Sequence, residues 1–259
     1  MTGPNGYRTL HPQPGGDMAR HLTLTAGHVA KVHKTLPDRG VPTGVCRLGC
    51  ADWGVPPGQD LHNDTDYAAS VARIIASHPA PDQPTAVFAY GSLLWKPEVP
   101  HVAEARAMAL GWHRAFCLTM LRFRGTPDQP GLMMALDRGG SCKGVLYTLP
   151  PDDLAGQLDR LFRREFTVKP ITNMPRWIKV SVAGQTRAAL AFVVNMASPL
   201  YAGRLALPQV ADVLARSCGH WGTGAEYLLN TVTQLEMLGI HDRALWALQR
   251  LVAERIGGL

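Results

Sequence analysis

From Thr85 onward the chain alternates short apolar runs with turn signals, and that punctuation most constrains what it can fold into. Strand candidates fall at residues 85–90, 105–111, 113–121, 132–137, 142–149, 177–182 and 188–195. Segments such as Pro127-Asp128-Gln129-Pro130-Gly131 and Gly139-Gly140 separate several of them, because Pro pre-sets φ for a turn and Gly takes positive φ without a steric penalty. One helical pattern, residues 151–166, sits within the series. Many strands around few helices predict an α+β domain built on a curled sheet or a small mixed β-barrel with flanking helices. Two or three helices close the chain. The segment 223–238 opens on Thr223-x-x-Glu226, a capping-box pattern, and stops at Gly239. Asp242 starts the last helix, whose Leu245, Leu248, Leu251 and Val252 form an apolar stripe before Gly257-Gly258.

The N-terminal part reads differently. The first 60 residues hold ten Gly and seven Pro, about twice the usual share. Residues 21–36 and, more clearly, 66–78 are helical patterns, the second with Tyr67, Val71, Ile74 and Ile75 on one side. Residues 1–80 are therefore read as an irregular, partly helical N-terminal extension packed on a main domain at 81–259. Met18 is an alternative start, since the segment before it carries no structural signal.

At 259 residues, with 46% hydrophobic and 18% charged residues, the composition is that of a folded globular protein. No run approaches the ~18 apolar residues of a membrane span, and no apolar h-region marks a secretory signal. The five cysteines, Cys46, Cys50, Cys117, Cys142 and Cys218, are odd in number and scattered, which points to a reducing compartment and not to a disulfide framework. A soluble, cytoplasmic protein is expected. The net charge of +6 is matched by one segment. Arg160, Arg163, Arg164, Lys169, Arg176, Lys179 and Arg187 lie there against the single acid Glu165. With no aromatic RNA-binding motif and no run of consecutive bases, a nucleic-acid partner is not expected. Two readings stay open for this segment: a field that attracts a small anion, or an ordinary solvated face.

Glu165 is the most informative residue. In the 151–166 helix, Leu154, Leu158 and Leu161 follow i, i+4, i+7, and Glu165 continues that series. Eleven residues at ~100° each bring it within ~20° of Leu154, so it faces the core while Arg163 and Arg164 are expected to point elsewhere. A carboxylate on an apolar face at a helix C-terminus is costly to ionise, which raises its pKa, and a nearby Arg lowers it. A general base that later acts as an acid fits that position; so does a buried structural ion pair with an arginine. The second feature is Tyr90-Gly91-Ser92-Leu93, where a strand ends in Gly-Ser. Gly allows close backbone approach, so the turn is able to aim N–H groups at a carboxylate or oxyanion. A plain turn is the other reading.

Other patterns exclude chemistry. No H-E-x-x-H or C-x-x-C occurs, and Cys46-x-x-x-Cys50 lacks a second pair at zinc spacing. The acidic stretch from Asp60 to Asp66 lacks the central Gly and terminal Glu of a calcium loop and reads as a cap for the next helix. Nucleotide-binding glycine loops and the G-x-S-x-G elbow are absent.

These residues resemble a known family. VFAYGSLLWKPE (87–98), GWHRAFCL (111–118), RGTPDQPGLMMALDRGGSCKGVLYTLP (124–150), FRREF (162–166), SPLYAG (198–203) and the TGAEYLLNTVTQLEMLGI helix are similar, in order and spacing, to the ChaC-type gamma-glutamylcyclotransferases. The resemblance covers residues 85–256; residues 1–80 resemble only a variable leader. It implies a small mixed β-barrel of the gamma-glutamylcyclotransferase type and cleavage of glutathione to 5-oxoproline and Cys-Gly. It implies that Tyr90, Gly91, Ser92 and Leu93 cradle the gamma-glutamyl group, that Glu165 is catalytic and that Tyr201 lines the substrate site. The implied reaction needs no metal, nucleotide or other cofactor. One departure stands out. Many relatives carry a tyrosine about five residues after the catalytic Glu, where this chain reads FTVKPITNMPRW, leaving Trp177 or Arg176 to fill the space. Two alternatives remain: the same chemistry on another gamma-glutamyl amine or peptide, or a non-catalytic regulator linked to cation transport.

Overall fold

A computed structural model of the chain describes residues 22–35, 55 and 59–258. The Cys46–Cys50 pair and Met18 lie outside the described residues. In chain order the elements are α1 (Ala26–Thr35), β1 (Asp60–Leu61), α2 (Asp64–Ala76), β2 (Ala86–Ala89), a single 3-10 turn (Ser92–Leu94), β3 (Ala103–Met120), β4 (Gly131–Thr148) and α3 (Leu154–Glu165). There follow β5 (Val168–Lys169), β6 (Asn173–Val182), β7 (Gln185–Val194), α4 (Leu207–Arg216), β8 (Cys218–Gly219), β9 (Gly222–Thr223), α5 (Gly224–Met237) and α6 (Arg243–Gly257).

Five strands close into a barrel in the order β2-β4-β3-β6-β7, so the α+β barrel read from the sequence is the fold. The strand count differs. Residues 105–111 and 113–121 are one strand, β3, and 132–137 and 142–149 are one strand, β4. Gly111 (φ +79°), Gly139 (φ +100°) and Gly140 (φ +67°) take left-handed conformations inside these strands. Such glycines bend or bulge a strand without ending it, which is how long strands curl into a closed barrel. β2 runs antiparallel to β4, from Ala86 opposite Thr148 to Ala89 opposite Val145, and closes the barrel by a parallel contact of Val87 with Leu190. β6 and β7 form a hairpin from Asn173 opposite Val194 to Val182 opposite Gln185. Its turn, Ala183-Gly184, has positive φ at both residues, matching the twist of the flanking strands.

Two compact units make up the described chain. The first comprises residues 59–115 and Ala135–Ser198. In it Val87, Phe88, Ala89, Leu136, Leu190 and Phe192 have no exposed surface. Helix α3 lays Leu158, Leu161 and Phe162 against this core, with Phe162 edge-on to Phe192 at 6.0 Å between ring centroids. Truncating a buried phenylalanine of this kind costs about 3–5 kcal/mol. Helix α2 braces α3 from outside: Tyr67 donates its hydroxyl to the Phe166 carbonyl at 3.0 Å, and Trp177 donates to the Ile74 carbonyl at 3.1 Å. As the sequence indicated, the acidic stretch before α2 caps it, through reciprocal bonds between Asn63 and Asp66.

The second unit comprises residues 22–35 and 55, Phe116–Met134 and 199–258. Here α4, α5 and α6 pack on one another and α1 packs on α5 and α6. Gln249 Oε1 accepts from the Thr23 and Leu24 amides. Thr223 caps α5, its hydroxyl accepting from the Glu226 amide at 2.9 Å. The Glu226 carboxylate takes Arg124 at 2.8 Å. Among the described residues no helix is long and apolar enough to cross a membrane.

Candidate functional site

Glu165 is the last residue of α3. Asp153, the N-cap, starts the helix by accepting from the Gly156 amide, and the buried stripe of Leu158, Leu161 and Phe162 fixes its rotation. Glu165 is thereby held inward with 12% of its side chain exposed. Burial pushes its pKa up to about 7; Glu98 adds to the rise and Arg164 opposes it. A carboxylate with that value takes and returns a proton near neutral pH.

One expectation about its neighbours needs correction. Arg163 does turn outward, to Asp159 at 2.7 Å, Asp64 at 2.8 Å and the Tyr67 ring. Arg164 does not. Its Nε lies 3.3 Å from Glu165 Oε1. The rest of its guanidinium reaches Ser92 Oγ at 3.3 Å, Glu98 at 3.2 Å and the Lys96 carbonyl. A long arginine at a helix end reaches back past its own Cα, which periodicity alone does not register.

Arg164 therefore ties Glu165 to the segment that follows β2. In that segment Tyr90 is buried and its hydroxyl donates to the Phe192 carbonyl at 2.8 Å, while its own carbonyl accepts from Arg114 Nε at 2.9 Å. Gly91 caps the 3-10 turn at φ −134°, ψ −125°, and its carbonyl accepts from Leu94. The Ser92 carbonyl accepts from Trp95 and Lys96. Leu93 is buried. The N–H groups that open a helical turn have no acceptor within it, so Ser92 and Leu93 present donors that the turn does not use. Glu98, at φ +51°, pairs with Lys96 at 2.7 Å; that bond holds its carboxyl below the usual range.

Asn173 is the residue that sequence reasoning missed. It opens β6, is only 8% exposed, and donates Nδ2 to Glu165 Oε2 at 3.4 Å. Trp177 and Arg176, the residues expected to fill the space after Glu165, face other groups. The Trp177 ring lies on His78 at 4.2 Å, and the Arg176 guanidinium lies over Trp112. The place of Asn173 beside Glu165 comes from the return of β6 to the end of α3, which no local pattern in the sequence marks. Tyr201 belongs to the second unit, where Leu118 pairs with it across an antiparallel bridge and the Leu200 and Ala202 backbones bond to Thr119 and Cys117.

Four of the seven basic residues of segment 160–187 pair with acids from outside it. Arg160 faces Asp153, Lys169 faces Asp66 at 2.7 Å, and Arg163 and Arg164 are paired as described. A charge count along the sequence cannot see such partners.

The ChaC-like protein family model matches residues 85–255. The chain is 36% identical over 181 residues to the glutathione-specific gamma-glutamylcyclotransferase of Escherichia coli K12, covering 69% of this chain and 76% of that protein. It is 28% identical over 160 residues to glutathione-specific gamma-glutamylcyclotransferase 1 of Mus musculus, covering 59% of this chain and 70% of the other. Among solved structures, the yeast gamma-glutamyl cyclotransferase specific to glutathione shares the fold at a TM-score of 0.60 and 20% identity, covering 67% of this chain and 97% of that one. The matched span contains the barrel, the turn after β2, the end of α3 and Tyr201, and this chain belongs to the ChaC-like family.

Proposed function

We propose that the protein is a gamma-glutamylcyclotransferase that cleaves glutathione to 5-oxoproline and Cys-Gly. The observation that carries this reading is a carboxylate at the end of α3, sheltered from water, which burial pushes up to about 7 and which Arg164 links to the turn after β2. The relatives' specificity for glutathione supports the choice of substrate.

The substrate's α-amine attacks its own γ-carbonyl. A C–N bond closes the five-membered lactam, and the amide C–N bond to the cysteine nitrogen breaks. Glu165 takes one proton from the attacking amine and returns one to the departing nitrogen, so no proton is gained or lost. The amine and carbonyl belong to one molecule, so holding the folded-back conformer supplies much of the acceleration. Gly91, Ser92 and Leu93 offer backbone donors to the substrate or to the developing oxyanion. Tyr90 shapes that turn from beneath, because its hydroxyl is bonded to β7. Tyr201 is assigned to the substrate site on the family resemblance.

Incubation with reduced glutathione, followed by mass spectrometry for 5-oxoproline and Cys-Gly, tests the reading. Product from the wild type and none from Glu165→Gln is the expected result. Product from neither, with turnover of another gamma-glutamyl amine, replaces the substrate. Undiminished turnover by E165Q removes Glu165 from the mechanism.

A further inference from the structure

Buried amide oxygens almost always have a donor, and Asn173 Oδ1 has none. Its residue is more than nine-tenths buried, and its Nδ2 is already engaged with Glu165. Against the ionised form of Glu165, which only accepts, the amide presents its nitrogen and leaves its oxygen for another donor. The side chain is held at the start of β6, where Asn173 pairs with Val194 and the Thr172 carbonyl accepts from Asn195 at 2.9 Å. An acceptor fixed on a strand beside a proton-accepting carboxylate suits a ligand nitrogen with several N–H bonds. An α-amino group carries at least two N–H donors in either protonation state, one for Oδ1 and one for Glu165.

We propose that Asn173 Oδ1 accepts a hydrogen bond from the α-amino group of the gamma-glutamyl substrate, holding that nitrogen against Glu165 while the carboxylate takes its proton. This rests on the reading of Glu165 as the base. It makes Asn173 a substrate-binding residue that selects for a free α-amine, with Nδ2 setting the carboxylate and Oδ1 setting the nitrogen. A γ-linked compound without the amine gains nothing from Oδ1.

The test measures binding without turnover, in E165Q, whose amide oxygen still accepts from Nδ2. Titration calorimetry compares glutathione with glutaryl-Cys-Gly, which lacks only the α-amine. Adding Asn173→Ala is expected to weaken glutathione at least tenfold and the glutaryl compound less than twofold. Asn173→Asp keeps an acceptor at the position and is expected to hold glutathione within threefold, which guards against misfolding of the alanine variant. Equal loss of both ligands in N173A, or loss of neither, overturns the proposal, as does an N173D variant that no longer prefers the amine-bearing ligand. If E165Q with native Asn173 binds no glutathione and the wild type forms no 5-oxoproline from it, the substrate reading itself has failed and this inference falls with it.

Discussion

The end of α3 and the loop at residues 96–98 each bring a carboxylate to the same guanidinium, yet the two acids behave oppositely. Glu98 is 46% exposed and bonded to Lys96, and its pKa is lowered. Glu165 is 12% exposed, and burial drives its pKa up to about 7. Arg164 touches both. Proximity to Arg164 therefore does not by itself decide the protonation of either group: the Lys96 bond lowers the pKa of Glu98, while at Glu165 the cost of an ionised carboxylate out of water exceeds what one shared cation returns. The difference assigns roles. Glu98 remains an anion that occupies part of Arg164, and Glu165 is left able to exchange a proton at neutral pH.

The strongest way to break this comparison is to remove the buried member. E165Q should lower kcat by at least about 10³-fold, in the range of a lost general base that also serves as the acid, with a chain that remains folded by circular dichroism. Removing the shared cation comes next. Arg164→Met takes away the charge that opposes the rise at Glu165, so the acidic limb of the kcat–pH profile should move to higher pH and kcat at pH 7 should fall by roughly tenfold. An unmoved limb would mean that Arg164 does not act on Glu165.

Stability should sharpen the contrast in the same direction. The folded state holds the Glu165 proton more tightly than the unfolded chain, whose carboxylate titrates near its ordinary value. The folded protein therefore loses stability as pH rises from about 4.5 to about 7 and has lost the full amount above that. At about 1.4 kcal/mol per pKa unit, the loss reaches up to about 3 kcal/mol. Urea unfolding at pH 5 and pH 8 should show E165Q gaining on the wild type at pH 8. A gain confined to pH 5 would reverse the sign and contradict the burial argument. The smallest effect belongs to the exposed member: Glu98→Gln removes a charge that raises the Glu165 pKa, so the acidic limb should move to lower pH by less than about one unit, with kcat at pH 8 within about threefold of wild type.

The sequence disclosed the barrel, the helix with Glu165 on its inner face and the turn after β2, because each rests on local periodicity or local turn chemistry. It overcounted strands at Gly111 and Gly139-Gly140, since positive φ serves a bulge as well as a turn. It misplaced Arg164, whose partners Ser92 and Glu98 lie about 70 residues away along the chain, a distance that no window of residues spans. Asn173 was invisible for the same reason: its meaning comes from the return of β6 to the end of α3, a tertiary fact. The family resemblance implied a catalytic role for Glu165, and it directed attention to a tyrosine that this chain does not carry shortly after that residue.

The central claim is that one sheltered carboxylate, Glu165, takes up its proton near neutral pH and that this event governs turnover. Isotope-edited infrared or carbon NMR titration of glutamate-labelled protein, with E165Q to assign the signal, measures that ionisation directly beside the pH dependence of kcat. The account predicts a Glu165 midpoint near 7 that coincides with the acidic limb of activity. A Glu165 that ionises near 4.5 while activity still rises through pH 7 would contradict it.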